Sequence, residues 1–277
     1  MEYESNEQFI VFVDFLGFQE ISTRCGAAFD QKVLALLQKI ASLRGEYRAE
    51  RVDDEYVDVQ PTISTFSDHI VMSYPMQSVM ALPDDSPKLS RLLPRSLWPG
   101  RLVAQAASDI AYLAEEALHL GMLIRGGATI GPLFHANGVV FGEAMVDAFL
   151  LESNVAVYPR VVLSKKISES KEWLFGGGSF MRRSEDGFRD ICYIKLLWEN
   201  VWPDDKETRT AWVIRTLSFM ESQIVELINK NKPRQAAKWL WLSQRVYDET
   251  IGSFTANEYP FSPTHFEIYD TRWRKEK

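Results

Sequence analysis

The stretch IVFVDFLGF, from Ile10 to Phe18, constrains this chain more than any other. Ile10, Val11, Phe12 and Val13 form an apolar run of β-branched and aromatic residues, which predicts a strand covered on both faces. Asp14 places a carboxylate at the expected C-terminal end of that strand. Phe15, Leu16, Gly17 and Phe18 are expected to turn the chain into a helix. The free backbone N–H groups of a helix start can cradle a phosphate. The carboxylate either caps the helix, the commoner role, or holds a hard cation.

The rest of the composition narrows the setting. The chain has 277 residues, 46% hydrophobic and 25% charged, enough for one large domain or a domain with an appendage. A formal net charge of −7 and a pI near 5.3 argue against general binding of a nucleic-acid backbone. They leave room for a small anionic substrate held through metal ions. The two cysteines, Cys25 and Cys192, fit reduced thiols and give neither a disulfide framework nor a zinc spacing. The acidic start MEYESNEQ is unlike a signal peptide, and no apolar run reaches the ~20 residues of a membrane span. A soluble, cytoplasmic protein with no membrane contact is expected.

Residues 30–43 carry Val33, Leu34, Leu36, Leu37, Ile40 and Leu43 at helical spacing. The charged stretch 45–58, with Arg48, Arg51 and Tyr56, is expected to be an exposed connection. Residues 61–75, PTISTFSDHIVMSYP, predict two strands joined by a tight turn at Ser67 and Asp68. Asp68 suits a turn in any case; its interest is as a second carboxylate near Asp14. On extended backbone His69 should point away from Asp68, so it is left out of the ligand set. Residues 76–99 contain four prolines and predict a loop. A long amphipathic helix follows over 102–120.

The segment GMLIRGGATIGPLFHANGVVFG, residues 121–142, predicts a strand, a turn near His135–Gly138 and a returning strand. Arg125 lies inside that apolar strand, and a buried Arg needs an anionic partner. The partner is either a structural carboxylate or a substrate phosphate. A helix over 143–152, a strand over 158–164 and a mixed region over 165–197 come next. Two helices are expected over 208–229 and 235–247, with Trp202, Trp212, Trp239 and Trp241 as core or interface residues.

Taken together, VDFLGF, FSDHIVMS, IRGGATIG and FGEAMVDAFLLES occur in the order of a class III nucleotidyl cyclase domain, and residues 8–165 resemble that family. With AVYPRVVLS following, the pattern is most similar to the bacterial pyrimidine cyclases of Pycsar anti-phage defence. The resemblance implies an α+β fold of ferredoxin-like type, with a mixed antiparallel sheet and helices on one face. A catalytic domain over 1–184 and a mainly helical extension over 185–277 are expected.

The resemblance also implies a chemistry: conversion of UTP or CTP to a 3′,5′-cyclic monophosphate and pyrophosphate. It makes Asp14, Asp68 and the backbone carbonyl of Phe15 the ligands of two Mn²⁺ or Mg²⁺ ions. It assigns the triphosphate to the backbone N–H groups of Leu16, Gly17 and Phe18, with Arg125 supporting phosphate charge. A homodimer with composite sites, and a separate effector activated by the cyclic nucleotide, complete the implication.

The departures are as informative. The Asp14–Asp68 spacing, 68 − 14 = 54, is longer than the family pattern. Ser64 and Val139 stand where purine cyclases carry base-reading residues, and Val146 and Leu150 where they carry a transition-state Asn and Arg. A cyclase-like module that binds nucleotide or scaffolds a partner without turnover is therefore the alternative. A palm-fold polymerase fits less well, since the usual GG-acidic hairpin is absent.

Overall fold

The computed structural model of the chain describes residues 6–18, 31, 33–36, 38, 61–76, 99–197 and 206–250. The expected connection over 45–58 and proline-rich loop over 77–98 lie outside these, as does most of the expected helix over 30–43. The chain divides into two compact units, Met1–Leu197 and Trp198–Lys277.

In the first unit the strands are β1 (Asn6–Leu16), β2 (Thr62–Phe66), β3 (His69–Pro75), β4 (Leu123–Ala136), β5 (Val139–Phe141), β6 (Val161–Leu163), β7 (Met181–Arg183) and β8 (Arg189–Ile191). They form a sheet in the order β2-β3-β1-β4-β6-β8-β7, with β5 paired on β4. Among the described residues only β4 and β6 run parallel; the other pairings are antiparallel. The unit is thus α+β with a mixed, mostly antiparallel sheet. The helices whose bounds lie among its described residues are α1 (Pro99–His119), α2 (Glu143–Asn154), α3 (Lys165–Ser168), α4 (Lys171–Gly177) and α5 (Tyr193–Leu196).

β1 is central because it is apolar on both sides: Phe9 through Val13 are almost completely buried. Alternation sends its odd and even residues to opposite faces. On the odd face Phe9 packs on Trp173 of α4 and on Tyr74, and the Tyr74 hydroxyl donates to Asp109 of α1 at 2.7 Å. On the even face Ile10 and Phe12 join Val71 and Leu133 in a cluster with Ala144 and Ala148 of α2. Helices therefore cover both faces, as the apolar run of β1 predicts and unlike the one-faced arrangement that the resemblance implies. The cause lies in β1 itself, whose two apolar sides both need cover.

The contact between α2 and the sheet is backbone-close. A Cβ added at Gly127 would lie 2.2 Å from the Ala148 carbonyl oxygen and 2.6 Å from Leu151 Cβ. Small residues on both elements permit this approach, and it sets the height of the whole helix over β4.

Polar links hold the sheet's ends. His135 of β4 sits between Ser73 and Ser64, with its Nδ1 and Nε2 each 2.8 Å from a hydroxyl oxygen, so the far end of β4 is tied to β3 and β2. Arg160, before β6, pairs with Asp186 and Asp190 around the β7–β8 hairpin. Ser184 donates to the second carboxylate of that clasp at 2.6 Å. The expected boundary after residue 184 falls in the turn between β7 and β8, whereas the first compact unit runs to Leu197.

Among its described residues the second unit holds two helices, α6 (Lys206–Asn229) and α7 (Pro233–Thr250). Asn231, at φ 55°, turns the chain between them. Phe219 meets Trp239 edge-on at 5.9 Å, which makes Trp239 a core residue of this pair, as its helical spacing predicts. No described helix is long and apolar enough to cross a membrane.

Gly127→Ala tests the backbone contact. The added methyl forces α2 off β4, so stability is expected to fall by about 1–3 kcal/mol. Thermal melting measures it, with Gly138→Ala as comparison: Gly138 (φ 77°) has open space around a Cβ, so its cost is backbone strain alone.

Candidate metal centre

The site is a row across three strands. Asp14 on β1 is directly opposite His69 on β3 and directly opposite Arg125 on β4. Opposed residues share a face of a sheet, so the three side chains converge on the even face. β1 continues through Leu16, so Asp14 lies inside the strand and not at its end. The ladder to β4 persists past it, through Phe15 and Leu16.

Asp14 is buried, and its two oxygens face different partners. Arg125 Nε donates to Oδ2 at 2.8 Å. His69 Nε2 lies 3.7 Å from Oδ1. The other ring nitrogen, Nδ1, is 3.0 Å from Asp68 Oδ1. Asp68 reaches the site because it belongs to the turn between β2 and β3, with Ser67 at φ 56°. The N–H of Phe15 donates to the Asp68 carbonyl at 3.0 Å, fastening that turn to β1 beside Asp14.

His69 thus corrects an expectation from the sequence. It does not point away from Asp68; it lies between the two carboxylates. Alternation holds on extended backbone, and Asp68 lies in a tight turn. The His69 ring is held by Phe12 at 5.1 Å and by Phe66, stacked at 5.8 Å.

Arg125 resolves in favour of carboxylate partners. Besides Asp14 it meets Glu152 of α2, with Nη2 2.7 Å from Oε1. That contact is close but out of line for a hydrogen bond, so Oε1 is paired by charge alone. Burial pushes the Glu152 carboxyl above its ordinary range; Arg125 opposes this and Asp14 adds to it.

Glu152 escaped the sequence reading, although a signal was there. It follows Ala144 and Ala148 at intervals of four, on the stripe that α2 buries. An acid on the small-residue stripe of a helix matches a lone Arg in a neighbouring strand.

Asp14, Asp68 and His69 each offer one atom, all within 4.8 Å of one another. Two carboxylates and an imidazole form a donor set that could hold a divalent ion. Gly17, at φ 95°, makes the turn just after β1, and Phe18 begins a helix. Leu16, Gly17 and Phe18 are therefore placed at the same end of the sheet as the carboxylates.

Removing Arg125 exposes the electrostatics. Arg125→Ala leaves Asp14 and Glu152 facing each other without a guanidinium, and stability is expected to drop by up to about 3 kcal/mol. A divalent cation replaces part of the missing charge. The melting-temperature gap between wild type and variant should therefore narrow when Mn²⁺ is added, and differential scanning calorimetry with and without Mn²⁺ checks it.

No family model matches the chain, and no curated protein matches it in sequence.

Proposed function

We propose that the chain is a class III-type pyrimidine nucleotide cyclase, converting UTP or CTP to its 3′,5′-cyclic monophosphate and pyrophosphate. The observation that carries this reading is the placement of Asp14 and Asp68. A hairpin and a backbone hydrogen bond bring them together beside the glycine turn at Gly17. The mixed, mostly antiparallel sheet is compatible with the cyclase fold.

In this reading Asp14, Asp68 and the carbonyl of Phe15 hold two Mn²⁺ or Mg²⁺ ions. When bound, such ions favour the 3′-alkoxide and neutralise charge on the triphosphate. The N–H groups of Leu16, Gly17 and Phe18 bind the β- and γ-phosphates. Arg125 and Glu152 orient the Asp14 carboxylate by fixing its Oδ2 side. The 3′-oxygen attacks the α-phosphorus in line, its bond to the pyrophosphate oxygen breaks, and pyrophosphate leaves.

The site is completed by a second copy. Val146, Phe149 and Leu150 of α2, with Val139, Phe141 and Phe66, are large apolar side chains left exposed. Phe66 and Phe149 both border Phe12, which joins them into one surface. Lys166 of α3 bridges Glu143 and Asp147 of α2 and offsets one of their two charges, which lowers the repulsion that a self-complementary contact would meet. A separate effector would then respond to the cyclic product.

A non-catalytic, nucleotide-sensing module is the second reading. What favours it is Arg125, engaged with two carboxylates, together with the apolar Val146 and Leu150 at the positions of the family's catalytic Asn and Arg. Incubating each of the four nucleoside triphosphates with Mn²⁺ and identifying products by mass spectrometry separates the readings. The cyclase reading expects a cyclic pyrimidine nucleotide and pyrophosphate. It also expects Asp14→Asn and Asp68→Asn each to lower turnover by about 10³-fold or more, with the fold intact. No cyclic product from any nucleotide overturns it.

The dimer is checked separately. Light scattering should give twice the chain mass for wild type, and Val146→Asp should give a monomer without turnover. A dimer that survives this charge would place its interface elsewhere.

A further inference from the structure

The imidazole of His69 is the unexplained member of the centre. The resemblance that assigns Asp14 and Asp68 gives it no role, and packing alone does not require a nitrogen there. Its ring packs beside both Phe12 and Phe66, which also meet each other at 6.3 Å, so this aromatic group on the sheet face sets its direction. That direction presents one ring nitrogen to each carboxylate, at 3.0 Å and 3.7 Å.

We infer that His69 is a protein ligand of this centre, and that its imidazole tips the centre toward a first-row transition ion over Mg²⁺. The inference rests on the Asp14–Asp68 centre proposed above and goes beyond it. Mg²⁺ is a hard ion that favours oxygen ligands and retains its waters, whereas an imidazole nitrogen suits transition metals. Carboxylate oxygens alone discriminate weakly between Mg²⁺ and Mn²⁺. A nitrogen in the set adds a donor that Mn²⁺ accepts more readily, and Mn²⁺ is the weakest binder of its series, so it makes the stringent probe.

Geometry supports the assignment independently of activity. The donor atoms already lie within 4.8 Å of one another. Ligands about 2.1 Å from an octahedral ion sit roughly 3 to 4.2 Å apart, so modest side-chain movement suffices. His69 is partly exposed, which gives an ion and its waters access. Arg125 occupies only the Oδ2 side of Asp14, leaving Oδ1 toward His69 and Asp68.

The experiment uses the full chain without nucleotide. Free Mn²⁺ is followed by electron paramagnetic resonance during titration, and Mg²⁺ is added as competitor to obtain the Mn²⁺/Mg²⁺ affinity ratio. Spin-echo modulation of the bound Mn²⁺ reads a directly bonded nitrogen. Wild type is expected to show that nitrogen coupling. His69→Gln keeps a polar oxygen donor but removes the imidazole, and should lose the coupling and lower the affinity ratio about tenfold. His69→Phe keeps the aromatic packing with Phe12 and Phe66, so its melting temperature guards against a change that merely unfolds the hairpin.

Asp14→Asn separates the two levels of the reading. If Asp14→Asn loses Mn²⁺ binding while His69→Gln keeps the wild-type ratio, the His69 inference is overturned and the carboxylate centre stands. If wild-type Mn²⁺ shows no nitrogen coupling, the inference is likewise overturned. If Asp14→Asn binds Mn²⁺ as wild type does, the centre and the inference fall together.

Discussion

A buried carboxylate in the middle of a sheet is the constraint on which the rest of this structure turns. Asp14 stands on a strand whose neighbours on both sides are buried and apolar, and a lone charge there would cost several kcal/mol. The sheet supplies partners from both flanking strands, a guanidinium from β4 and an imidazole from β3, at the same level of the ladder. Register therefore matters more here than elsewhere. A slip of one residue would send Asp14 to the opposite face, against α1 and α4, away from both partners.

The same constraint explains the crowded packing of α2. The guanidinium that pairs with Asp14 through Nε turns its Nη2 to a second acid, and Glu152 meets it there by charge from the helix above. That is possible only because Gly127 and Ala148 let the helix lie on the strand backbone. Core packing and site electrostatics are in this sense one arrangement. The small residues set the distance, and the distance is what puts a second acid within reach of Arg125.

Much of this was legible in the residues. The apolar run at Ile10, the turn at Ser67 and Asp68, the glycine-rich strand after Arg125 and the paired C-terminal helices each carry a local signal strong enough to place them. Arg125 announced its need for an anion. What local pattern could not supply was direction. The direction of His69 does not follow from alternation, because Asp68 is in the turn, and the apolar run of β1 predicts cover on both faces without saying which helices supply it. Glu152 needed the partner strand to be known before its place on the buried stripe meant anything.

The fastening of Phe15 to the Asp68 carbonyl has a wider consequence. It joins the two carboxylate-bearing segments through main-chain atoms, one residue along from the first acid and at the second acid itself. The gap between those two side-chain positions is thus written in backbone, independent of what the side chains are. The scaffold acts as a mount with fixed sockets. The groups plugged into those sockets can therefore be exchanged without rebuilding the sheet that holds them.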